Sequence, residues 1–360
     1  MRVRGYGHRL RFFLSLFGRI RSAFGTRTTP LPPALLDPQS VAAAVSHGRR
    51  WNNYLALEPD VFLFGDAEGF LAYGGMGNTL LSVGGVHGSF PIQVLIRWKG
   101  EARKRGFKRL MLFPVHAAEQ RLLRDAGFST LHVGSEAILH LPGFDLEGSA
   151  LRNLRQTIHR AERSGTLTLA EESLSDNPEL ERLFDAWLQS RIRDFRMRIL
   201  VGSPGFGNPL GRRVFVVRRN GKAEAFTTIT PGFSGSGWGM DIMARDPAGP
   251  PGMMEWMIAE MAFRLKSEGA LTLSLGACPM RLMEEWETSG SPYLNFIFKA
   301  LYGKVERGRL FRFRELARFK EKFDPEWVPV FLGGSPRINW IGLYDACRMW
   351  GLFDDPSSPP

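Results

Sequence analysis

In the stretch GWGMDIMARDPAGPPGMMEWM, residues 237–257, Asp241, Arg245 and Glu255 lie close together in the chain. The apolar run before the acid reads as a strand and MMEWM as the start of a helix, with a glycine–proline turn between them. Asp241 and Arg245, at i and i+4 near the strand end, offer either a structural ion pair or a carboxylate and a guanidinium presented to a substrate. Glu255 falls in the first helical turn, where the helix dipole favours a carboxylate whatever else it does. Further on, ARFKEKFDPEW supplies Lys320 and Lys322, which share a face if that segment is a strand. They would then hold an anion or form a solvated face. Cys278 in LGACPM reads as a small core residue rather than a nucleophile. Trp238, Trp256 and Trp327 suit an apolar channel or ordinary core packing.

Other common chemistries lack an anchor. No glycine-rich stretch ends in the Gly-Lys-Ser/Thr of a phosphate-binding loop, and GFSGSG does not complete a Gly-x-Ser-x-Gly elbow. The seven histidines are scattered, and the two cysteines, Cys278 and Cys347, lie far apart, which argues against a zinc site or a disulfide framework.

The elements that must position these residues come in two similar runs. VFLFGDAEGFLAYGGMGNTLLSVGG reads as short antiparallel strands, followed by VLIRWKGEARKRGFKRLMLFPV as a helix, a stop at Gly106 and a buried strand. RVFVVRRNGKAEAFTTITPGFSGSGWGMDI repeats the strands, with RRNGK as a hairpin turn. GMMEWMIAEMAFRLKSEGALTLSLGA then repeats helix, Gly269 and strand. Between the runs, LRNLRQTIHRAERSG and NPELERLFDAWLQSRIRDFRMRIL have helical periodicity. The first carries Arg152, Arg155, Arg160 and Arg163, a face for phosphates or for solvent. The expected organisation is a basic segment and proline-rich linker over 1–40, two mixed domains over 41–148 and 149–335, and a terminal helix with a polar tail over 336–360.

The net charge of +11 points to a polyanionic partner, nucleic acid or an anionic membrane. The first segment has seven arginines before Asp37, with Leu10, Phe13, Leu14, Phe17, Ile20 and Phe24 at helical spacing. That pattern suits a helix lying in a membrane interface and is too short in its apolar run to span one.

GMDIMARDPAGPPGMMEWM, LSLGACPM and FRELARFKEKFDPEWVPVFL together resemble the C-terminal synthase domain of the lysyl-phosphatidylglycerol synthase family, the multiple peptide resistance factors. VGSEAILHLPGFDLEGSALRNLRQTIHRAERSG is similar to that family's junction between halves. The resemblance covers roughly Trp51 to Leu332. It implies an α/β (α+β) fold of tandem acetyltransferase-like domains, mixed sheets flanked by helices. The implied activity is that of an aminoacyltransferase, moving an amino acid from aminoacyl-tRNA to a lipid hydroxyl, usually that of phosphatidylglycerol. Diacylglycerol and sterols are acceptors within the wider family. Full-length members also carry a multi-helix membrane domain, and this sequence is expected to be a free-standing synthase, cytoplasmic and peripheral at the inner membrane face through its basic N-terminus. Its implied partners are aminoacyl-tRNA and anionic lipid, with no metal or redox cofactor.

By the same resemblance Asp241 holds the α-ammonium of the aminoacyl group or takes the lipid proton. Arg245 binds a phosphate or fixes Asp241, and Glu255 meets an amino-acid side chain or ammonium. From the residues themselves, either Lys320 or Lys322 would stabilise an oxyanion or hold phosphate, and Arg152 and Arg160 belong to the arginine face expected to meet the phosphates of a substrate. The rival readings are a coenzyme A-dependent N-acyltransferase, for which Arg245, Gly249 and Gly252 precede the helix without the expected spacing, and a non-catalytic tRNA- or membrane-binding protein.

Overall fold

The computed structural model describes residues 31, 36–46, 48–58, 61–190, 211–279, 281 and 313–350. The amphipathic N-terminal segment, the end of the second connecting helical segment and the polar tail lie outside them. Leu31 belongs to the proline-rich stretch expected as a linker, yet it is buried, and its N–H donates to the Tyr73 hydroxyl at 2.8 Å.

A short helix, α1 (Pro38–Ser46), and a 3-10 turn over Trp51–Leu57 lead into the first run: β1 (Phe62–Asp66), β2 (Gly69–Met76), β3 (Thr79–Gly88), α2 (Pro91–Lys104), β4 (Arg109–His116), α3 (Gln120–Asp125) and β5 (Ser129–His140). The connecting helix α4 (Arg152–Glu162), β6 (Leu167–Glu171) and α5 (Pro178–Gln189) follow. The second run is β7 (Arg213–Arg219), β8 (Lys222–Gly232), β9 (Gly237–Arg245), α6 (Met253–Ser267), β10 (Thr272–Pro279), α7 (Phe313–Glu321) and β11 (Glu326–Ser335), and α8 (Trp340–Met349) closes the described chain. The β7–β8 hairpin turns on Asn220 and Gly221, both at positive φ (52° and 86°), as the Asn-Gly pair in RRNGK requires.

Both runs share one element order: three antiparallel strands, a crossing helix, and a strand parallel to the third. β3 pairs in parallel with β4, and β9 in parallel with β10. The described strands form one 11-stranded sheet in the order β1-β2-β3-β4-β11-β5-β10-β9-β8-β7-β6. The final strands of the two runs are exchanged. β5 pairs with β10 of the second run, and β11 lies between β4 and β5 of the first. Helices bury apolar faces on both sides of this sheet. Trp98 of α2 lies in one core, Met257 and Leu265 of α6 pack with Leu154 and Ile158 of α4, and Leu180 of α5 covers Phe226.

The register fixes where the site lies. His116 at the end of β4 and Gly134 of β5 both stand opposite Val330, and Gly134 also faces Pro279 at the end of β10. The carboxyl ends of the parallel strands in the two halves therefore converge at one level in the middle of the sheet, the kind of position at which open α/β sheets bind ligands.

Candidate active site

Each parallel pair opens before its strands end. β9 runs from Gly237 to Arg245 but pairs with β10 only at Gly237–Gly239. Beyond that point β9 bulges: Thr227 faces Met243 and Ile229 faces Met240, so Thr228 alone opposes Asp241 and Ile242. The Thr228 hydroxyl accepts from the Ile242 N–H at 3.1 Å, and the Thr227 hydroxyl donates to the Ile242 carbonyl at 2.8 Å. A bulge re-aims side chains. Met240 and Met243 thus share the α6 side of the sheet, while Ile242 and Ala244 face the α5 core. Arg245 follows Met243 to the side opposite Asp241, at the end of about 13 Å of strand. The pairing of Asp241 with Arg245 is therefore corrected. Arg245 is exposed and, among the described residues, donates to the Asp246 carbonyl at 3.4 Å.

Asp241 instead meets Arg212, Oδ2 to Nε at 3.8 Å, and Arg212 also pairs with Glu58 at the end of the 3-10 turn. All three side chains are buried. The Arg212 guanidinium lies 6.0 Å from the Tyr54 ring centre. These groups, with Trp51, Asn52, Leu55 and Thr230, line a small pocket between the two halves. Two carboxylates and an aromatic ring thus surround a cationic group of the chain itself, the Arg212 guanidinium.

Trp51 also connects the pocket to the centre of the sheet. Its indole lies on Gly239, where a Cβ would overlap the ring, and its Nε1 donates to Glu136 Oε1 at 2.6 Å. Glu136 is buried on β5 and accepts a further bond from the Ser274 hydroxyl of β10. His116 Nε2 is 3.5 Å from its other oxygen. Beside them, Arg50 pairs with Glu119 at 3.4 Å. Burial holds the Arg50 guanidinium below its ordinary range and pushes the Glu119 carboxyl up.

Lys320 and Lys322 are also corrected: Lys320 ends a helix, α7, and Lys322 lies just past it, so they do not share a strand face. The Lys320 ammonium is buried and donates to the carbonyls of Gly276 (2.8 Å) and Ala277 (3.1 Å), where β10 has left β9. Burial lowers its pKa, opposed by the neighbouring Cys278 and Glu136, and burial raises that of Cys278. Lys322 donates to Glu255 at 2.7 Å, which ties α7 to α6. Arg152 and Arg160 are exposed on the outer face of α4, whereas Arg155 donates to the carbonyls of Leu146 and, at 2.7 Å, Gly148. Trp256 is buried in the α6 core, with Trp238 and Trp327 packed against it, and Arg281 lies 4.0 Å above the Trp327 ring.

The loop before α6 is a poor seat for the diphosphate of coenzyme A. Gly252 caps the helix at φ 94°, and a Cβ there would stand 2.5 Å from the Thr157 carbonyl oxygen, because α4 lies against the helix start. The N–H groups of Ala248 and Gly249 already donate to Asp246. The Glu224 carboxylate is buried beneath Gly249, and Glu255 is buried in the first turn. Among the described residues, no group of three or more His, Cys, Asp or Glu side chains could hold a metal. No described helix is long and apolar enough to cross a membrane.

A family model described as phosphatidylglycerol lysyltransferase, C-terminal, matches residues 49–333. The chain belongs to this family. The phosphatidylglycerol lysyltransferase of Bacillus subtilis (strain 168) is 27% identical over 320 residues, 85% of this chain and 36% of the relative. The lysylphosphatidylglycerol biosynthesis bifunctional protein LysX of Mycobacterium avium (strain 104) is 30% identical over 219 residues, 59% of this chain and 18% of the relative. The chain thus spans well under half the length of these curated relatives. The structure of L-PGS from Bacillus licheniformis shares the fold, with a TM-score of 0.74 at 19% identity, covering 92% of this chain and 100% of that one. In this lysyltransferase-family domain the matched span includes Trp51, Glu58, Glu136, Arg212, Asp241 and Ser274.

Sequence reasoning missed Glu58, Arg212, Trp51, His116, Glu136 and Ser274. One signal was present. Gly232 and Gly239 lie inside strands, where glycine marks a close approach, and here both lie against Trp51.

Proposed function

We propose that the chain transfers an aminoacyl group from aminoacyl-tRNA to the hydroxyl of a membrane lipid, phosphatidylglycerol first among the acceptors, while associated with the cytoplasmic membrane face. The observation that supports this reading is the buried pocket with Asp241, Glu58, Trp51 and Tyr54 in its wall. An aminoacyl ammonium would share these carboxylates with Arg212, which lies between them, and the cluster sits where the carboxyl ends of the parallel strands converge. Family membership supplies the lipid side of the reading.

In the reaction the lipid oxygen attacks the ester carbonyl carbon. A C–O bond to the lipid forms, the C–O bond to the tRNA ribose breaks, and the lipid proton passes to the departing ribose oxygen. The chain's task is to hold both oxygens near the carbonyl and to keep the ammonium in place. Asp241 does the latter, with Arg212 fixing its carboxylate. The buried Lys320 holds the opened end of β10 and so shapes the cleft beside it. The loop before α6 does not favour the coenzyme A alternative.

The test combines purified protein, tRNA charged with radiolabelled amino acids, and liposomes containing phosphatidylglycerol, diacylglycerol or a sterol, with thin-layer separation of the lipids. A labelled lipid that disappears with RNase or with Asp241→Asn supports the proposal and names both substrates. Folded protein that labels no lipid overturns it.

A further inference from the structure

The outward face of α2 carries a second pattern that the pocket does not use. Phe90, at the start of the helix, is 51% exposed and Ile96 is 50% exposed, although the same helix buries Val94, Leu95 and Trp98 completely. Arg97, Arg103 and Lys104 are exposed on the same outer arc. At 100° per residue, Phe90, Ile96 and the three cations fall within about 140° of one another, and no acid lies inside that arc. Two of the cations are tethered at its border, Arg97 to Asp66 and Lys104 to Glu101, each at 2.6 Å. The exposed arginines of α4 make a contrast: that helix buries its large apolar residues, Leu154 and Ile158.

The placement is also specific. β3 pairs in parallel with β4 as far as Val83 and Phe113, and Phe90 follows the end of β3, on the carboxyl-end side of the sheet where the two halves converge. The apolar end of the face is thus the end nearer the proposed site.

Resting on the reading of the acceptor as a membrane lipid, we infer that the outward face of α2 docks on an anionic bilayer, with Phe90 and Ile96 entering the interface and Arg97, Arg103 and Lys104 meeting lipid phosphates. Two half-exposed apolar side chains among cations fit a bilayer interface, whose acyl boundary takes the first and whose anionic headgroups take the second. A phosphate backbone would reward the cations alone.

The test is co-sedimentation of the full chain with vesicles of phosphatidylcholine alone or mixed equally with phosphatidylglycerol. Phe90→Ser/Ile96→Ser should lower partitioning onto the mixed vesicles about tenfold, and Arg97→Gln/Arg103→Gln/Lys104→Gln should do so comparably while reducing the preference for anionic vesicles. All five positions are exposed, so unchanged melting temperatures are expected and checked first. Wild-type partitioning by both variants overturns the inference. So does loss of tRNA binding with vesicle binding intact, which would make the face an RNA contact. Transfer to lipid dispersed in detergent should survive in both variants. Failure of the wild type to label any lipid would count against the proposed reaction, whereas the vesicle result reads the docking face by itself.

Discussion

Asp241 contacts the buried Arg212, so its replacement tests both binding and folding. Asp241→Asn keeps the shape and removes the charge. If Asp241 holds the aminoacyl ammonium, losing one charge-assisted hydrogen bond costs about 1.5–3 kcal/mol, roughly 10- to 150-fold in kcat/KM. The loss should appear against the aminoacyl-tRNA concentration and leave the lipid dependence alone. Equal loss in both dependences, with a matching fall in melting temperature, would mean that Asp241 is only a structural partner of Arg212. His87 gives an independent reading at this scale. It is buried, stacked 4.6 Å from the Phe70 ring, and desolvation lowers its pKa to about 4 from 6.5. The folded state therefore binds this proton less readily than the unfolded chain. The resulting stability is fully present above about pH 6.5 and is lost as pH falls toward 4. The loss amounts to about 3 kcal/mol by pH 4, since each unit is worth about 1.4 kcal/mol. Denaturant titration of wild type against His87→Gln from pH 7 to pH 4 should show the two stabilities drawing together by that amount, and parallel curves would rule the account out.

At the level of elements, α7 shows where local sequence stops deciding. The two-residue spacing of Lys320 and Lys322 fits one face of a strand, but Phe319 and Phe323 meet edge to face at i and i+4, with ring centres 5.9 Å apart, and this contact belongs to a helical turn. A nine-residue helix before an Asp-Pro break carries too few turns for its period to stand out. The longer helices α2 and α6, with their stops at Gly106 and Gly269, were legible because each repeats an apolar face over several turns. What α7 contributes is a pin: Lys322 reaches Glu255 across to α6. Exposure of the lysine limits this pair to about 1 kcal/mol. Glu255→Lys and Lys322→Glu should each lower the melting temperature by a few degrees, and the double exchange should recover part of the loss, the rest reflecting a lysine in the first turn of α6, where the helix dipole disfavours it. A pair that also bound substrate would recover stability without recovering activity, so measuring transfer on the same proteins separates the two roles.

Across the whole molecule, the two-fold repeat of strands, helix and strand could be read from hydrophobic patterning, whereas the exchange of β5 and β11 could not, because pairing between strands so far apart leaves no local periodicity. The centre of the site depends on that exchange. His116, Glu136 and Ser274 come from β4, β5 and β10 and meet only once β11 has been inserted. Charge behaves differently, since the +11 balance is legible from composition but its partition among surfaces is not. The structure separates α4, whose exposed face has Arg152, Arg160 and Arg163 and no exposed large apolar residue, from α2, where cations flank Phe90 and Ile96. If α4 meets the tRNA backbone, binding is driven by counterion release, and the slope of log K against log salt should shrink by about 0.7–0.9 for each phosphate contact removed. Arg152→Gln/Arg160→Gln should therefore flatten the slope by roughly 1.5 and weaken binding alike for every tRNA sequence. Phe90→Ser/Ile96→Ser should leave that slope untouched, because those residues carry no charge. Filter binding of unlabelled and charged tRNA between low and moderate salt decides it: an unchanged slope in the α4 variant would move the tRNA to another part of the basic surface.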